Sequence, residues 1–320
     1  MLKLNLERIE ALAGEVRRLA EGFKWESFTS PEYYPPRDED EESVARYFFF
    51  MVSIDHRTHP PEVPWEGDVE GRLYSGSDLL YRLGSLKYLK DRTFFSPEHM
   101  STITLEEVRE WLTYRGRLKE PAGLELRWLL LRDAGRKLER FYGGSVMLLL
   151  RESGGVVGDG REGLLALLKA FVAYNDPVEK KAFLLVKFLE RRGLLEVKDP
   201  HNLHVPVDNH LVRLALRTGI VEPCASLPEA EVSREEDVAI RSLIRRAYKV
   251  LSDLSGLRPT YLDDIVWAVG KRCCKWERPL CEECADLRRG GCPLKNVCKG
   301  RYDEHARSLR EHRFLNTWYY

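Results

Sequence analysis

The chain has no glutamine, six asparagines and four methionines in 320 residues. Thermolabile side chains are thus scarce while 32% of residues are charged, the composition of a hot-adapted source. No apolar run approaches the roughly 18 residues of a membrane span, and residues 1–20 alternate charge with leucine. Neither a spanning segment nor a signal peptide is therefore expected, which places the chain in the cytoplasm. Net charge is also lacking, because 51 basic side chains balance 51 acidic ones. That excludes a uniformly basic nucleic-acid coat and an acidic disordered tail. Strand signals are few and short, and no internal repeat is present.

What is there is helical periodicity in a chain long enough for about two domains. Leu2, Leu4, Leu6, Ile9, Leu12, Val16 and Leu19 form one apolar stripe, and Leu105, Val108, Trp111 and Leu112 begin another. Leu124 to Phe141 continues the pattern and is closed by Gly143-Gly144, a C-terminal stop. Gly160 to Tyr174, Glu179 to Arg192, Asn209 to Thr218 and Glu235 to Leu254 read as further helices. Thr29 to Asp40, Asp55 to Gly71 and Ser153 to Gly160 read as loops. The expectation is a mainly α, two-lobed chain in which the N- and C-terminal segments pack together. Its parts would be an N-terminal helical segment with pocket-forming loops (1–90), a helical core (91–260) and a cysteine loop with tail (261–320).

Charge and cysteine are unevenly spread. Residues 241–320 hold 17 basic and 10 acidic side chains, an excess of seven balanced by residues 1–240. Six of the seven cysteines lie between 273 and 298. In a cytoplasmic chain such crowding points to thiolate ligands rather than a disulfide knot. Zinc and a [4Fe–4S] cluster both accept four thiolates, so the count alone does not choose between them. The run is Gly270-x3-Cys274-x6-Cys281-x2-Cys284, then Cys292-Pro293-Leu294-x3-Cys298. It resembles the cluster loop of the helix-hairpin-helix (HhH-GPD) DNA glycosylases of the endonuclease III and adenine-glycosylase kind, whose pattern is Gly-x3-Cys-x6-Cys-x2-Cys-x5-Cys. Residues 285–291 look like an insertion, so either Cys284 or Cys292 is the third ligand, and Cys273 is spare. The resemblance implies a structural [4Fe–4S] cluster rigidifying a basic loop of Lys271, Arg272, Lys275, Arg278, Arg288, Arg289, Lys295 and Lys299, a surface suited to phosphates.

Asp208 stands immediately before an apolar-periodic run, the position of an N-cap. In the same glycosylase family the catalytic aspartate sits in a Val-Asp-x-His-hydrophobic-x-Arg segment ahead of the cluster. Val207, Asp208, His210 and Arg213 reproduce that segment, 66 positions before Cys274. The resemblance implies that Asp208 is catalytic, with His210 and Arg213 at the substrate. A carboxylate below the sugar stabilises the oxocarbenium ion that forms as a base departs, or orients a water.

Family members that also nick the strand use a lysine near the start of the helix after the hairpin, and Lys181 of Glu179-Lys180-Lys181 lies in the comparable place. It would attack the sugar and form a Schiff base, chemistry that needs a desolvated amine. The family's Gly-x-Gly hairpin, whose amides hold a DNA phosphate, is replaced by Tyr174-Asn175-Asp176-Pro177-Val178. An archaeal 8-oxoguanine glycosylase family has a similarly degenerate hairpin. Residues 90–220 also resemble the queuosine-salvage proteins, which release a 7-deazaguanine base from a nucleotide. That likeness rests on Phe94-Phe95-x4-Met100-Ser101-Thr102-Ile103-Thr104, on Leu124 to Ser145, and on Asp176-x4-Lys181 followed by Asp208.

Upstream, Asp55 and His56 follow the apolar run Phe48 to Val52, within the polar group Ile54 to Pro60, and are expected to line a pocket and contact the base edge. Trp25, Tyr33, Tyr34, Trp65 and Tyr74 are candidates to stack on a flipped base. The reading is an N-glycosylase with a [4Fe–4S] cluster, most directly a monomeric base-excision-repair enzyme acting on double-stranded DNA, with a lyase step through Lys181. A salvage-like hydrolase acting on a small nucleotide is the alternative. The hot-adapted composition predicts a thermal midpoint above about 60 °C by calorimetry; a lower midpoint would contradict it.

Overall fold

The structure, a computed structural model, describes residues 2–58, 60, 64–159, 161–224, 231–287, 290–315 and 317–320. Contacts divide the chain into two compact units, Met1–Glu26 with Leu203–Thr317 and Ser27–Asn202 with Trp318–Tyr320. The N-terminal segment therefore does pack with the C-terminal part of the chain. Breaks at 90 and 260 do not appear. Residue 90 ends a helix whose neighbours in sequence share its core, and residue 260 lies inside the helix Pro259–Arg272.

The first unit is built on four helices, Leu6–Ala20, Asn209–Thr218, Arg234–Ser255 and Pro259–Arg272. Their apolar stripes meet in one core that includes Ile9, Leu12, Val16, Leu211, Ala215, Ile244, Tyr248, Leu262 and Val266, all buried. The stripe expected from Leu2 onward is interrupted, because Asn5 leaves helical geometry and its side chain caps Arg8 N at 3.1 Å. Leu2–Leu4 instead pairs antiparallel with Val221–Pro223, Leu4 opposite Val221. This pairing, which sets Leu4 beside a residue 217 positions later, and the packing of Leu6–Ala20 on Arg234–Ser255 join the two segments of this unit.

The second unit is organised around Glu41–Ser53, a helix that Asp40 caps through Ser43 N at 2.9 Å. Tyr47, Phe48, Phe49, Phe50, Met51 and Val52 have no exposed surface. Burial of each contributes about 2 kcal/mol, and an apolar run without periodicity is what a central helix needs. Gly76–Lys90, Leu124–Tyr142, Val146–Glu152 and Lys180–Arg191 pack around it. Leu124–Tyr142 ends at Gly143 with φ 56°, the left-handed stop its sequence predicts. The Pro-rich break is held by Arg192, which donates to the carbonyls of Phe28, Pro35 and Pro36 at 2.7–2.9 Å.

Two expectations need correcting. The loop read from Asp55 to Gly71 contains the strand Glu66–Val69, paired with Arg72–Ser75. The helix read from Gly160 to Tyr174 is a short helix, Gly163–Leu168, and a 3-10 turn, Val172–Tyr174. The turn is separate because Val172 N donates to the Asp133 carboxylate at 2.8 Å instead of to a preceding carbonyl.

Candidate active site

In the first unit the site is assembled on the ten-residue helix Asn209–Thr218. Asp208 caps it, with Oδ1 accepting from Leu211 N at 2.9 Å. Its residue is half-buried, and Oδ2 has no hydrogen-bond partner among the described residues. Both neighbours of Asp208 are held by Arg241, which donates to the Val207 backbone carbonyl at 3.4 Å and to the Asn209 side-chain oxygen Oδ1 at 2.7 Å. Arg241 pairs with Asp237 at 2.8 Å, and His312 Nε2 meets the same carboxylate oxygen at 2.7 Å. All three are buried. Neither Asp237 nor His312 carries a motif signal. They become visible only when helix Arg234–Ser255 is folded against the turn.

His210 and Arg213 point inward. Arg213 is 3% exposed; it donates to the Cys274 carbonyl at 2.8 Å, to Glu311 at 2.6 and 2.7 Å, and lies 2.8 Å from His210 Nδ1. This corrects its expected place at the substrate, since a guanidinium so occupied ties helix to loop. Burial lowers His210 to about 4, so its ring is neutral and Nδ1 accepts from Arg213. The helix carrying Gly270 lies directly on His210: a Cβ on Gly270 would sit 3.0 Å from His210 Cβ and 3.1 Å from its carbonyl oxygen. That close approach is the physical content of the glycine four positions before Cys274.

Arg217, one turn beyond Arg213, donates to the carbonyls of Lys275, Trp276 and Leu309 and lies 3.5 Å from Cys274 Sγ. Four thiols, Cys274, Cys281, Cys292 and Cys298, line one cavity together with Leu214, Arg217 and Leu294. Burial pushes Cys292 and Cys298 up to about 12 and raises Cys281, with the neighbouring thiols adding to each shift. Cys284 is disulfide-bonded to Cys273, with Cα atoms 5.3 Å apart. Cys284 therefore offers no free thiolate, Cys273 is not spare, and a disulfide is present where none was expected. Among the described residues no three His, Cys, Asp or Glu side chains are placed to hold a single metal ion.

The basic loop is partly neutralised from within. Arg278 pairs with Glu283 at 2.9 Å, Lys295 with Glu282 at 2.5 Å, and Lys299 with Glu222 at 2.9 Å. Arg288 and Arg289 lie outside the described residues, as does His59 of the upstream polar group.

The second unit brings Lys181, Asp55 and His56 together. Lys181 is fully buried; Nζ donates to the Ser53 carbonyl at 2.5 Å and lies 3.3 Å from His56 Nδ1. Burial, reinforced by Lys180, holds Lys181 well below the ordinary lysine range, the condition for a nucleophilic amine. Its burial also means that the side chains over it must yield before a sugar carbon reaches Nζ. Lys180 Nζ donates to the Asp55 carbonyl at 3.0 Å, and Tyr81 donates to the Asp55 carboxylate at 3.2 Å. Arg127, with no exposed surface, donates to the His56 carbonyl. Burial and Arg127 push His56 well below its usual value, so it too is neutral. Asp176, in the stretch 174–178 expected to stand where the family has its hairpin, accepts from the amides of Val178, Lys180 and Lys181 at 3.0–3.3 Å. Burial raises it to about 6. An internal carboxylate thus occupies amides that a glycine hairpin would offer to a phosphate.

Of the aromatic candidates Trp65 and Tyr74 are core, whereas Trp25, Tyr33 and Tyr34 are half-buried and packed on other rings. Trp65 is 1% exposed, with Nε1 on the Lys119 carbonyl, and the Tyr34 ring packs among Phe28, Phe48, Tyr81 and Phe188. Trp25 packs on Phe23 and Tyr261, and Tyr33 on Tyr74.

The lowered value of His210 sets a pH dependence. The unfolded chain protonates this residue near 6.5 and the folded protein near 4, so its stabilising contribution is complete above 6.5 and is lost as pH falls toward 4. Asp176 acts oppositely, its contribution being lost as pH rises through 6. His210→Asn, which keeps an acceptor for Arg213, should lose less thermal stability than the parent between pH 7 and 5. An equal loss in calorimetry would contradict the assignment.

No family profile matches the sequence, and no curated protein matches it. In three dimensions the chain is similar to the 8-oxoguanine DNA glycosylase of Pyrobaculum aerophilum, known from a crystal structure with 8-oxoguanosine. The TM-score is 0.52 at 13% identity, over 92% of this chain and 97% of that one. No helix among the described residues is long and apolar enough to cross a membrane. The likeness is one of fold: this chain has the mainly helical architecture of a DNA glycosylase.

Proposed function

We propose that this protein is an N-glycosylase of the helix-hairpin-helix kind that removes a damaged or modified base from duplex DNA, working as a monomer. The observation that carries this reading is the Asp208 carboxylate. One oxygen is fixed by Leu211 N, the other is without a partner among the described residues, and Arg241 holds the turn on both sides. A carboxylate so oriented can stabilise positive charge on a sugar as the base leaves, or direct a water at C1′. Lys181, desolvated and low in proton affinity, is the nucleophile of an accompanying lyase step. Base release from duplexes carrying deaminated, oxidised (8-oxoguanine included) or alkylated bases tests the reading. One duplex should lose its base, and Asp208→Asn should slow release by about a hundredfold or more. Because asparagine caps helices as well as aspartate, the variant should keep its melting midpoint. Unchanged turnover in it would remove Asp208 from the chemistry.

A second reading has its own support. The amides around Asp176 are already occupied by that carboxylate, which favours a small nucleotide over a duplex phosphate, as in release of a 7-deazaguanine-type base. Affinity for duplex as a function of salt separates the two: a duplex binder shows a steep counterion-release slope, and a mononucleotide enzyme does not.

Cys274, Cys281, Cys292 and Cys298 are the ligands of a [4Fe–4S] cluster in this reading: four free thiols line one cavity, Cys273 and Cys284 are bonded to each other, and no three of the described thiols are placed to share one ion, which favours a multi-iron cluster over zinc, the alternative occupant. Such a cluster would be structural, rigidifying the loop beside Arg213 and Arg217. Anaerobically purified protein should show the broad visible absorbance of an iron–sulfur cluster and bind iron rather than zinc. Cys292→Ser should lose it and Cys284→Ser keep it; colourless, iron-free parent protein would refute the assignment.

A further inference from the structure

The environment of Lys181 contains more than a low-affinity amine, and it reassigns His56. Within hydrogen-bonding distance of Nζ stand two acceptors among the described residues, the Ser53 carbonyl at 2.5 Å and His56 Nδ1 at 3.3 Å. A neutral amine has two N–H donors and one lone pair, whereas an ammonium has three donors and none. Two acceptors therefore satisfy the amine completely, while an ammonium would bury a donor without a partner. The site is walled on every side. Lys181 has no exposed surface, His56 is 2% exposed, and Asp55, Asp176, Lys180 and Arg127 are buried around them. The carboxylates do not reach Nζ: Asp176 is engaged with backbone amides and Asp55 with Tyr81. His56 is fixed from its own backbone, where Arg127 donates to its carbonyl. Nδ1 is an acceptor in the tautomer that carries the ring proton on Nε2, an atom that is buried and without a partner among the described residues, so the cradle includes one unsatisfied donor on the far side of the ring.

We propose that His56 is a positioning residue for Lys181: with the Ser53 carbonyl it forms a two-acceptor cradle that holds the lysine as a free amine with its lone pair uncommitted. The sequence places His56 at the edge of the base; the geometry places it on the nucleophile. The inference rests on Lys181 being the lyase nucleophile. On an abasic sugar the amine adds to the C1′ aldehyde and water leaves, giving a Schiff base that borohydride reduces to a stable secondary amine. A residue that orients the lone pair acts on that addition even though no base is present.

The test is borohydride trapping of the full-length protein on an oligonucleotide duplex carrying an abasic site, with thermal midpoints measured alongside. His56→Leu, which keeps volume and removes the acceptor, should slow adduct formation by about tenfold or more. His56→Asn, whose side-chain oxygen can stand in for Nδ1, should restore most of the rate. Equal midpoints for the two variants would exclude packing as the cause. Trapping by His56→Leu at the parental rate overturns the proposal and returns His56 to the base, where only excision from base-containing duplex would suffer. Equal slowing in both variants overturns it in favour of a packing role. Absence of any adduct with the parent protein, or an adduct retained in Lys181→Gln, overturns the lysine reading itself and this inference with it.

Discussion

Two arginines one turn apart carry the first unit. Arg213 and Arg217 run from the helix Asn209–Thr218 into irregular backbone and donate to the carbonyls of Cys274, Lys275, Trp276 and Leu309. The loop pairs some carbonyls internally, Leu280 N with Cys273 O and Cys292 N with Cys281 O among them, and the arginines take others; each buried carbonyl left unpaired would cost about 1–3 kcal/mol. The loop that holds the four free thiols is therefore shaped by a neighbouring helix as well as by its own sequence. That same helix begins at Asp208. One rigid rod thus presents a carboxylate at its N-terminus and builds the cysteine loop from its C-terminal half, so order in the loop and orientation of the carboxylate share a mechanical support.

The second unit solves a different electrostatic problem. Lys180, Lys181, His56 and Arg127 are all buried in one region, against the carboxylates Asp55 and Asp176. Charged groups in such crowding are stable only when each polar atom is paired or the group gives up its charge. Both outcomes are present. Arg127 and Lys180 are paired with backbone carbonyls. Lys181 and His56 are pushed toward their neutral forms by burial and by the cations beside them. Asp176 draws three amides to itself and is still raised to about 6, because burial outweighs the amides. Neutral lysine in a folded protein is a consequence of where the chain puts it, not of any property of the segment Glu179-Lys180-Lys181.

Local features were legible in the linear chain wherever a local cause sufficed. The cap at Asp208, the stop at Gly143 and the limits of Asn209–Thr218 all depend on residues within a few positions. Legibility failed where distant segments compete for one group. Arg213 reads as a substrate contact until Cys274 and Glu311 are seen to occupy it. Trp65 and Tyr74 read as stacking platforms until the core encloses them. Asp237 and Arg241 share the i,i+4 spacing of a helical ion pair, but nothing in the linear chain links them to His312, 75 positions away, or to the turn at Asp208.

Periodicity, capping and composition are properties of short stretches, so the helical class, the cap at Asp208 and the crowding of cysteines are legible in the linear chain, while the catalytic candidacies of Asp208 and Lys181 rest on a family resemblance. Long-range packing is what bonds Cys273 to Cys284 and leaves Cys274, Cys281, Cys292 and Cys298 around one cavity. It also gives the amides of Val178, Lys180 and Lys181 to Asp176 and sets His56 against Lys181. Each of these is a choice among partners that are equivalent in composition and separated by up to 125 residues, and such a choice is made by which groups burial forces to satisfy one another.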